Sequence, residues 1–130
     1  GEAIKFQFAT QTAVRETFTL TATERRDLTN SQTLMTWDNF FTKRASTLLQ
    51  QANLLKSGQV LTSSDQKVDC DDDDDGNPSS IPNNIPIGRA VNVTLTLQRE
   101  WLGANLVGIR IPPVSLTARG VAVVQMAQTE

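Results

Sequence analysis

One short acidic segment places aspartates at alternate positions. Asp71, Asp73 and Asp75 precede Gly76 in the pattern D-x-D-x-D-G, and Asn77 follows the glycine. Alternate carboxylates can converge on one side of a turn, and glycine allows the sharp backbone geometry that wraps a hard cation. The backbone carbonyl of Asn77 would supply a fourth ligand. The pattern therefore predicts a Ca²⁺ site made by Asp71, Asp73, Asp75 and Asn77.

This predicted site differs from an EF-hand. The twelfth position counted from Asp71 is Pro82, so the bidentate glutamate of an EF-hand is missing. Asp69, Ser79, Ser80 or water would have to complete the six to eight oxygens that Ca²⁺ prefers. A run of five consecutive aspartates also satisfies many acidic patterns by composition alone. A solvated loop whose charges repel one another is therefore the open alternative.

Groups that could catalyse a reaction are sparse. The sequence has no histidine, which excludes Ser-His-Asp and Cys-His nucleophiles and the histidine ligands of catalytic zinc. Ser64 and Lys67 match S-x-x-K, the nucleophile motif of penicillin-recognising enzymes, but the companion S-D-N and K-T-G motifs are absent. The single cysteine, Cys70, lies among aspartates that disfavour its thiolate. We therefore predict a non-enzymatic protein with no catalytic residues.

Length and charge limit the remaining classes. A chain of 130 residues has the size of one domain, and we predict a single domain over 1–130 with an acidic loop at about 63–88. No apolar run approaches the roughly 20 residues of a membrane span. Six of the fourteen acids lie within 69–75, so twelve Lys and Arg face eight acids elsewhere, about +4. These cations are scattered, and no nucleic-acid surface is predicted.

The elements that would position the acidic loop are predicted to form an α+β fold. It consists of an antiparallel sheet of about five strands packed on one long central helix, at about 31–57. Asn30 or Ser31 would cap the start of this helix, and Gly58 would end it. Its buried face recurs every three or four residues, at Leu34, Trp37, Phe41, Ala45, Leu48, Ala52 and Leu55.

The strands are predicted from alternation of apolar and polar residues. Ile4, Phe6 and Phe8 alternate with polar residues, so 3–22 reads as two strands of a hairpin. Further strands are expected at 59–62, 91–97, 106–111 and 114–126. Gly120 interrupts the alternation in the last of these, as a β-bulge would.

The predicted strand pair, long helix, acidic loop and C-terminal strands together resemble the globular domains of type IV pilin-like proteins, which include minor pilins and pseudopilins. The resembling residues are the D-x-D-x-D-G loop at 71–76, RAVNVTLTL at 89–97 and SLTAR at 115–119. The apolar N-terminal helix that packs in filaments of this family has no counterpart here, because the chain begins with a predicted strand. The resemblance implies a structural subunit of an extracellular or envelope filament. Its partners would be copies of itself or related subunits, with Ca²⁺ at Asp71, Asp73 and Asp75.

A second class of protein fits the same composition. Capsid, tail or connector subunits of a phage or virus also tend to be short, Thr-rich, β-dominated and free of catalytic groups. Such a subunit would lie in the virion and would self-assemble through strand edges. The two hypotheses share assembly as their physical basis and differ in the setting.

Overall fold

The chain forms three helices followed by three strands in a computed structural model that describes residues 2–33, 35–54, 66–71, 80–99 and 114–127. The predicted α+β class is right, but the predicted five-stranded sheet on one long helix is wrong. The elements are α1 (Glu2–Thr19), α2 (Ala22–Thr29), α3 (Trp37–Gln51), β1 (Gln66–Asp71), β2 (Ala90–Arg99) and β3 (Val114–Val123).

Helix α1 occupies the segment for which the sequence predicts a strand hairpin. Its buried positions recur every three or four residues, which is the periodicity of one helix face. This face contains small and polar residues as well as aromatic ones. Its helical period is therefore not visible when only the large apolar residues are considered. The buried residues are Phe6, Ala9, Thr10, Ala13, Val14, Thr17 and Phe18.

The predicted long helix at about 31–57 is replaced by the shorter α3, and a separate helix, α2, ends before that range. Thr21 and Glu24 form a capping box at the start of α2, in which each side chain accepts from the backbone N–H of the other residue. Asn30, predicted to start a helix, instead ends α2 in the left-handed conformation with φ 55°. Thr36 then caps α3 by accepting from the Asn39 N–H at 3.2 Å. The predicted helix over 31–57 therefore does not begin at residue 31, because α3 begins only after Thr36.

The predicted buried face of α3 is confirmed at the positions that the structure describes. Trp37, Phe41 and Ala45 are buried, and Leu48 is partly buried against the same core. Leu34 and Leu55 lie outside the described residues. Phe40 and Leu49 are buried as well, which widens this face beyond the prediction.

The three strands form one antiparallel sheet in the order β1-β2-β3. Central Leu95 is paired with Val68 of β1 and with Ala118 of β3. The alternation predicted for β2 is confirmed, because Val91, Val93, Leu95 and Leu97 are all buried. Strand β1 lies inside the range 63–88 that was predicted as an acidic loop. The strands predicted at 59–62 and 106–111 lie outside the described residues.

Gly120 does not form the predicted bulge. Strand β3 is paired with β2 residue by residue from Ala90 with Val123 to Arg99 with Val114. A Cβ at position 120 would lie 2.6 Å from Val14 Cγ2 and 2.8 Å from Val14 Cβ. The glycine therefore serves close packing of α1 on β3.

Helices α1 and α3 and the inner face of the sheet enclose one hydrophobic core. The rings of Phe18 and Trp37 meet edge to face, with centroids 5.3 Å apart. At the margin of the core, Arg44 Nε donates to Glu16 Oε2 at 2.6 Å and joins α3 to α1. Arg25 is fully buried and donates to the Leu20 carbonyl at 2.6 Å, which fixes the turn between α1 and α2.

Candidate functional site

Asp71 is the only predicted calcium ligand among the described residues. It is the last residue of β1, where its register partner on β2 is Asn92. Asp73, Asp75 and Asn77 lie outside the described residues, so the structure does not bring the predicted site together. In the described part of the chain, no group of three His, Cys, Asp or Glu side chains is arranged to hold a metal ion.

The outer face of the sheet, turned away from the helices, carries the polar residues of all three strands. In this face, Asp71 and Asn92 are in one cross-strand row, while Asp69 and Thr94 share the next row with Arg119. Directly opposed side chains in such rows lie about 4.5–5.5 Å apart at Cβ, which allows hydrogen bonds and ion pairs. Asp69 also pairs with Lys67 along β1, at 3.6 Å between Oδ2 and Nζ.

Asp69 and Asp71 point to the same side of β1 because side chains alternate along a strand. The strand thus presents two carboxylates on the outer face immediately before the remaining aspartates of the acidic segment. This arrangement can attract a cation. It contains no nucleophile with an adjacent base, which a hydrolytic site would need.

The side chains that could contribute to catalysis are dispersed in the part of the chain that the structure describes. Cys70 is buried on the inner face of β1. Asp38 is half-buried in the first turn of α3, and this burial raises the pKa of its carboxyl group above the ordinary value. Lys67 is on the outer sheet face, and Ser64 and Glu100 lie outside the described residues. Among the residues described, these groups form no catalytic constellation.

Helix α1 exposes two large apolar side chains that sequence reasoning assigned to a strand. Ile4 is 74% exposed and Phe8 is 68% exposed. Residues four apart on a helix point in nearly the same direction, so the two side chains form one apolar ridge. The ridge lies opposite the buried face of α1. Its signal in the sequence is the spacing of Ile4 and Phe8, which fits a helix as well as a strand.

Two glutamines of α1 contact the backbone of β3. Gln7 is hydrogen-bonded to the N–H and the carbonyl of Arg119, and Gln11 to the N–H and the carbonyl of Val121. No local pattern in the sequence marks these residues as partners of β3. Their spacing of four would have been informative only after 2–19 had been recognised as a helix.

No protein-family model matches the chain, and none of the curated proteins or solved structures with which it was compared is similar to it. Among the described residues, no helix has both the length and the apolar character needed to cross a membrane.

Proposed function

We propose that this protein is a non-enzymatic structural subunit that assembles with copies of itself or with related subunits into an extracellular or envelope filament. The observation that carries this proposal is the apolar ridge of Ile4 and Phe8 on the outward side of α1. Burial of one such side chain in a subunit contact contributes about 1.5–3 kcal/mol. A filament requires a heterologous contact, so the ridge of one subunit would pack on a different surface of the next subunit.

The resemblance to type IV pilin-like domains supports the same proposal. That resemblance implies a subunit that assembles into a filament. Helix α1 is not the apolar packing helix of that family, because Lys5, Arg15 and Glu16 lie along it. The proposal places the contact on this helix. It does not place the contact on β3 at residues 119–121, because Gln7 and Gln11 occupy the backbone groups there.

The alternative is a subunit of a phage or virus particle that assembles through a strand edge. What favours it is β1, which is an edge strand of the sheet in the part of the chain that the structure describes. The two candidates differ in their products. Helical filaments would indicate the first, and closed shells, rings or tubes of a virion would indicate the second.

The test compares the wild type with the double variant Ile4→Ser, Phe8→Ser. Both side chains are exposed, so the fold should survive the substitutions. Wild-type protein should associate as its concentration rises in analytical ultracentrifugation, and the double variant should associate at least about tenfold more weakly. Ile87→Ser is the matched control, since Ile87 is 62% exposed and lies outside α1.

Two outcomes would contradict the proposal. One is a wild type that stays monomeric up to about millimolar concentration with no ordered particle in electron microscopy. The other is equal association of the wild type and the double variant, because the contact would then lie elsewhere.

We also infer that the acidic segment binds Ca²⁺ through Asp71, Asp73, Asp75 and Asn77. The support is the D-x-D-x-D-G spacing, together with the outward position of Asp71 at the end of β1. Calcium would neutralise the mutual repulsion of these carboxylates.

A further inference from the structure

Strand β3 is an edge strand of the sheet in the described part of the chain. The unpaired N–H and carbonyl groups of such an edge can pair with a strand from another molecule. In this protein α1 runs beside β3, and the backbone groups of Arg119 and Val121 are taken up by α1 side chains. How these groups are satisfied decides whether the edge is open to a second copy.

Each glutamine satisfies both backbone groups of one β3 residue. Gln7 Nε2 donates to the Arg119 carbonyl at 2.6 Å, and its Oε1 accepts from the Arg119 N–H at 3.2 Å. Gln11 Nε2 donates to the Val121 carbonyl at 3.1 Å, and its Oε1 accepts from the Val121 N–H at 3.0 Å. A carboxamide carries one acceptor and a donor, like a peptide group, and can replace a strand residue in this way.

The spacing of the two glutamines matches the spacing of the two strand residues. Four residues of a helix rise about 6 Å. Two residues of an antiparallel strand rise about 6.8 Å. Residues two apart on a strand direct their backbone groups to the same edge. Gln7 and Gln11 therefore stand beside Arg119 and Val121 as a fourth strand would.

Gly120 permits the short distance between α1 and β3. A Cβ at this position would lie 2.6 Å from Val14 Cγ2 and 3.3 Å from the Thr10 carbonyl oxygen. Thr10 and Val14 lie on the same helix as the two glutamines and pack over position 120. The glycine between Arg119 and Val121 thus brings the helix within reach of a glutamine side chain.

We propose that Gln7 and Gln11 form an edge lock that prevents a strand of a second copy of this chain from pairing with β3 at residues 119–121. The bonds themselves add little net stability, because they replace bonds to water and immobilise two long exposed side chains. Their effect is on specificity. They exclude the addition of a strand to β3 at this edge, while copies of the chain can still associate through α1 and other surfaces.

Hydrogen exchange of single variants tests the pairing. Gln11→Ala should speed exchange of the Val121 amide by at least about tenfold while the Arg119 amide changes little, and Gln7→Ala should do the reverse. Alanine keeps the helix propensity of α1. Gln51→Ala, an exposed residue at the end of α3, is the control and should change neither amide. Unchanged exchange at both amides in both variants would overturn the proposal.

The oligomeric state of the double variant tests the lock. Gln7→Ala, Gln11→Ala should be folded by circular dichroism and should self-associate at concentrations at least about tenfold lower than wild type, with gain of β structure. The two glutamine substitutions should also be made in the Ile4→Ser, Phe8→Ser variant, which lacks the apolar ridge. Association that still increases there cannot come from contact through the ridge. The lock would be overturned if the Arg119 and Val121 amides exchanged faster in the double variant but the variant self-associated no more strongly than wild type. If the double variant does not fold, association of the single variants decides in the same way.

Discussion

Asp71 marks the point at which the described strand β1 meets the acidic segment. Its side chain is on the outer face of the sheet, on the same side as that of Asp69. The spacing rule that predicts Asp71, Asp73 and Asp75 as ligands also predicts that Asp72 and Asp74 point elsewhere. At the scale of single residues, calcium binding and a merely solvated acidic loop therefore make different predictions.

We expect Ca²⁺ to raise the free energy of unfolding. A ligand that binds only the folded state stabilises it by RT ln(1 + [L]/Kd). A loop without the bidentate glutamate belongs with weak sites, with Kd roughly 10⁻⁴–10⁻³ M. At about 10 mM Ca²⁺ the gain is therefore ~1.4–2.7 kcal/mol, measurable as a rise in melting temperature.

The matched variants identify the ligands. Asp71→Asn and Asp73→Asn should remove the calcium-dependent rise, whereas Asp72→Asn and Asp74→Asn should retain it. Mg²⁺ at the same ionic strength should stabilise less than Ca²⁺. Equal responses of all four variants would show that the segment responds only to screening of its charge.

At the scale of the elements, the packing of α1 on β3 depends on the missing side chain at position 120. We expect Gly120→Ala to lower the free energy of unfolding by about 1–3 kcal/mol, because the added Cβ overlaps Val14 and the helix must move. Chemical denaturation measures the change. Thr117→Ala, on the exposed outer side of the same strand, should cost less, about 0.2–1 kcal/mol, because it removes only the cross-strand pair with Thr96.

A second substitution tests the cause of this loss. Val14→Ala removes Cγ2, the nearest atom that a Cβ at position 120 would meet, while Val14 Cβ at 2.8 Å remains. The double variant Gly120→Ala, Val14→Ala should therefore lose somewhat less stability than the two single losses added together. Strict additivity would show that the contact with Val14 Cγ2 does not cause the loss of stability in Gly120→Ala.

At the scale of the whole molecule, helices α1 and α3 and the sheet share one hydrophobic core. Phe41 is 0% exposed and belongs to the cluster that contains residues of α1 and of all three strands. We expect Phe41→Ala to lower the free energy of unfolding by ~3–5 kcal/mol. Phe8→Ala removes the same atoms from a 68% exposed site, and at concentrations where the protein is monomeric it should cost at most about 0.5 kcal/mol.

Urea denaturation of both variants, monitored by a helix and a sheet signal, measures these changes. A single transition seen by both signals would accord with one cooperative core. A loss below about 1 kcal/mol for Phe41→Ala would contradict the assignment of this face of α3 to the core.

The helical segments show where sequence patterns were insufficient. A run from 31 to 57 has the period of a helix, but Asn30 ends α2 and Thr36 caps α3. Both residue types can start or end a helix, so their roles depend on which carbonyl and N–H groups lie nearby. The acidic spacing was readable at once from the sequence, whereas the apolar ridge and the two edge glutamines required knowledge that α1 is helical.

The sequence by itself determined the features that depend on large, strongly patterned side chains. Alternating Val and Leu residues define β2, and Trp37 and Phe41 mark the buried side of α3, because burial of large apolar groups dominates the free energy of folding. Only the tertiary structure decided the conformation of α1 and the role of Gly120. Ala9, Thr10 and Ala13 give a weak hydrophobic signal, yet their small size lets the helix approach the sheet closely. Such contacts join residues more than a hundred positions apart, and no local pattern records them.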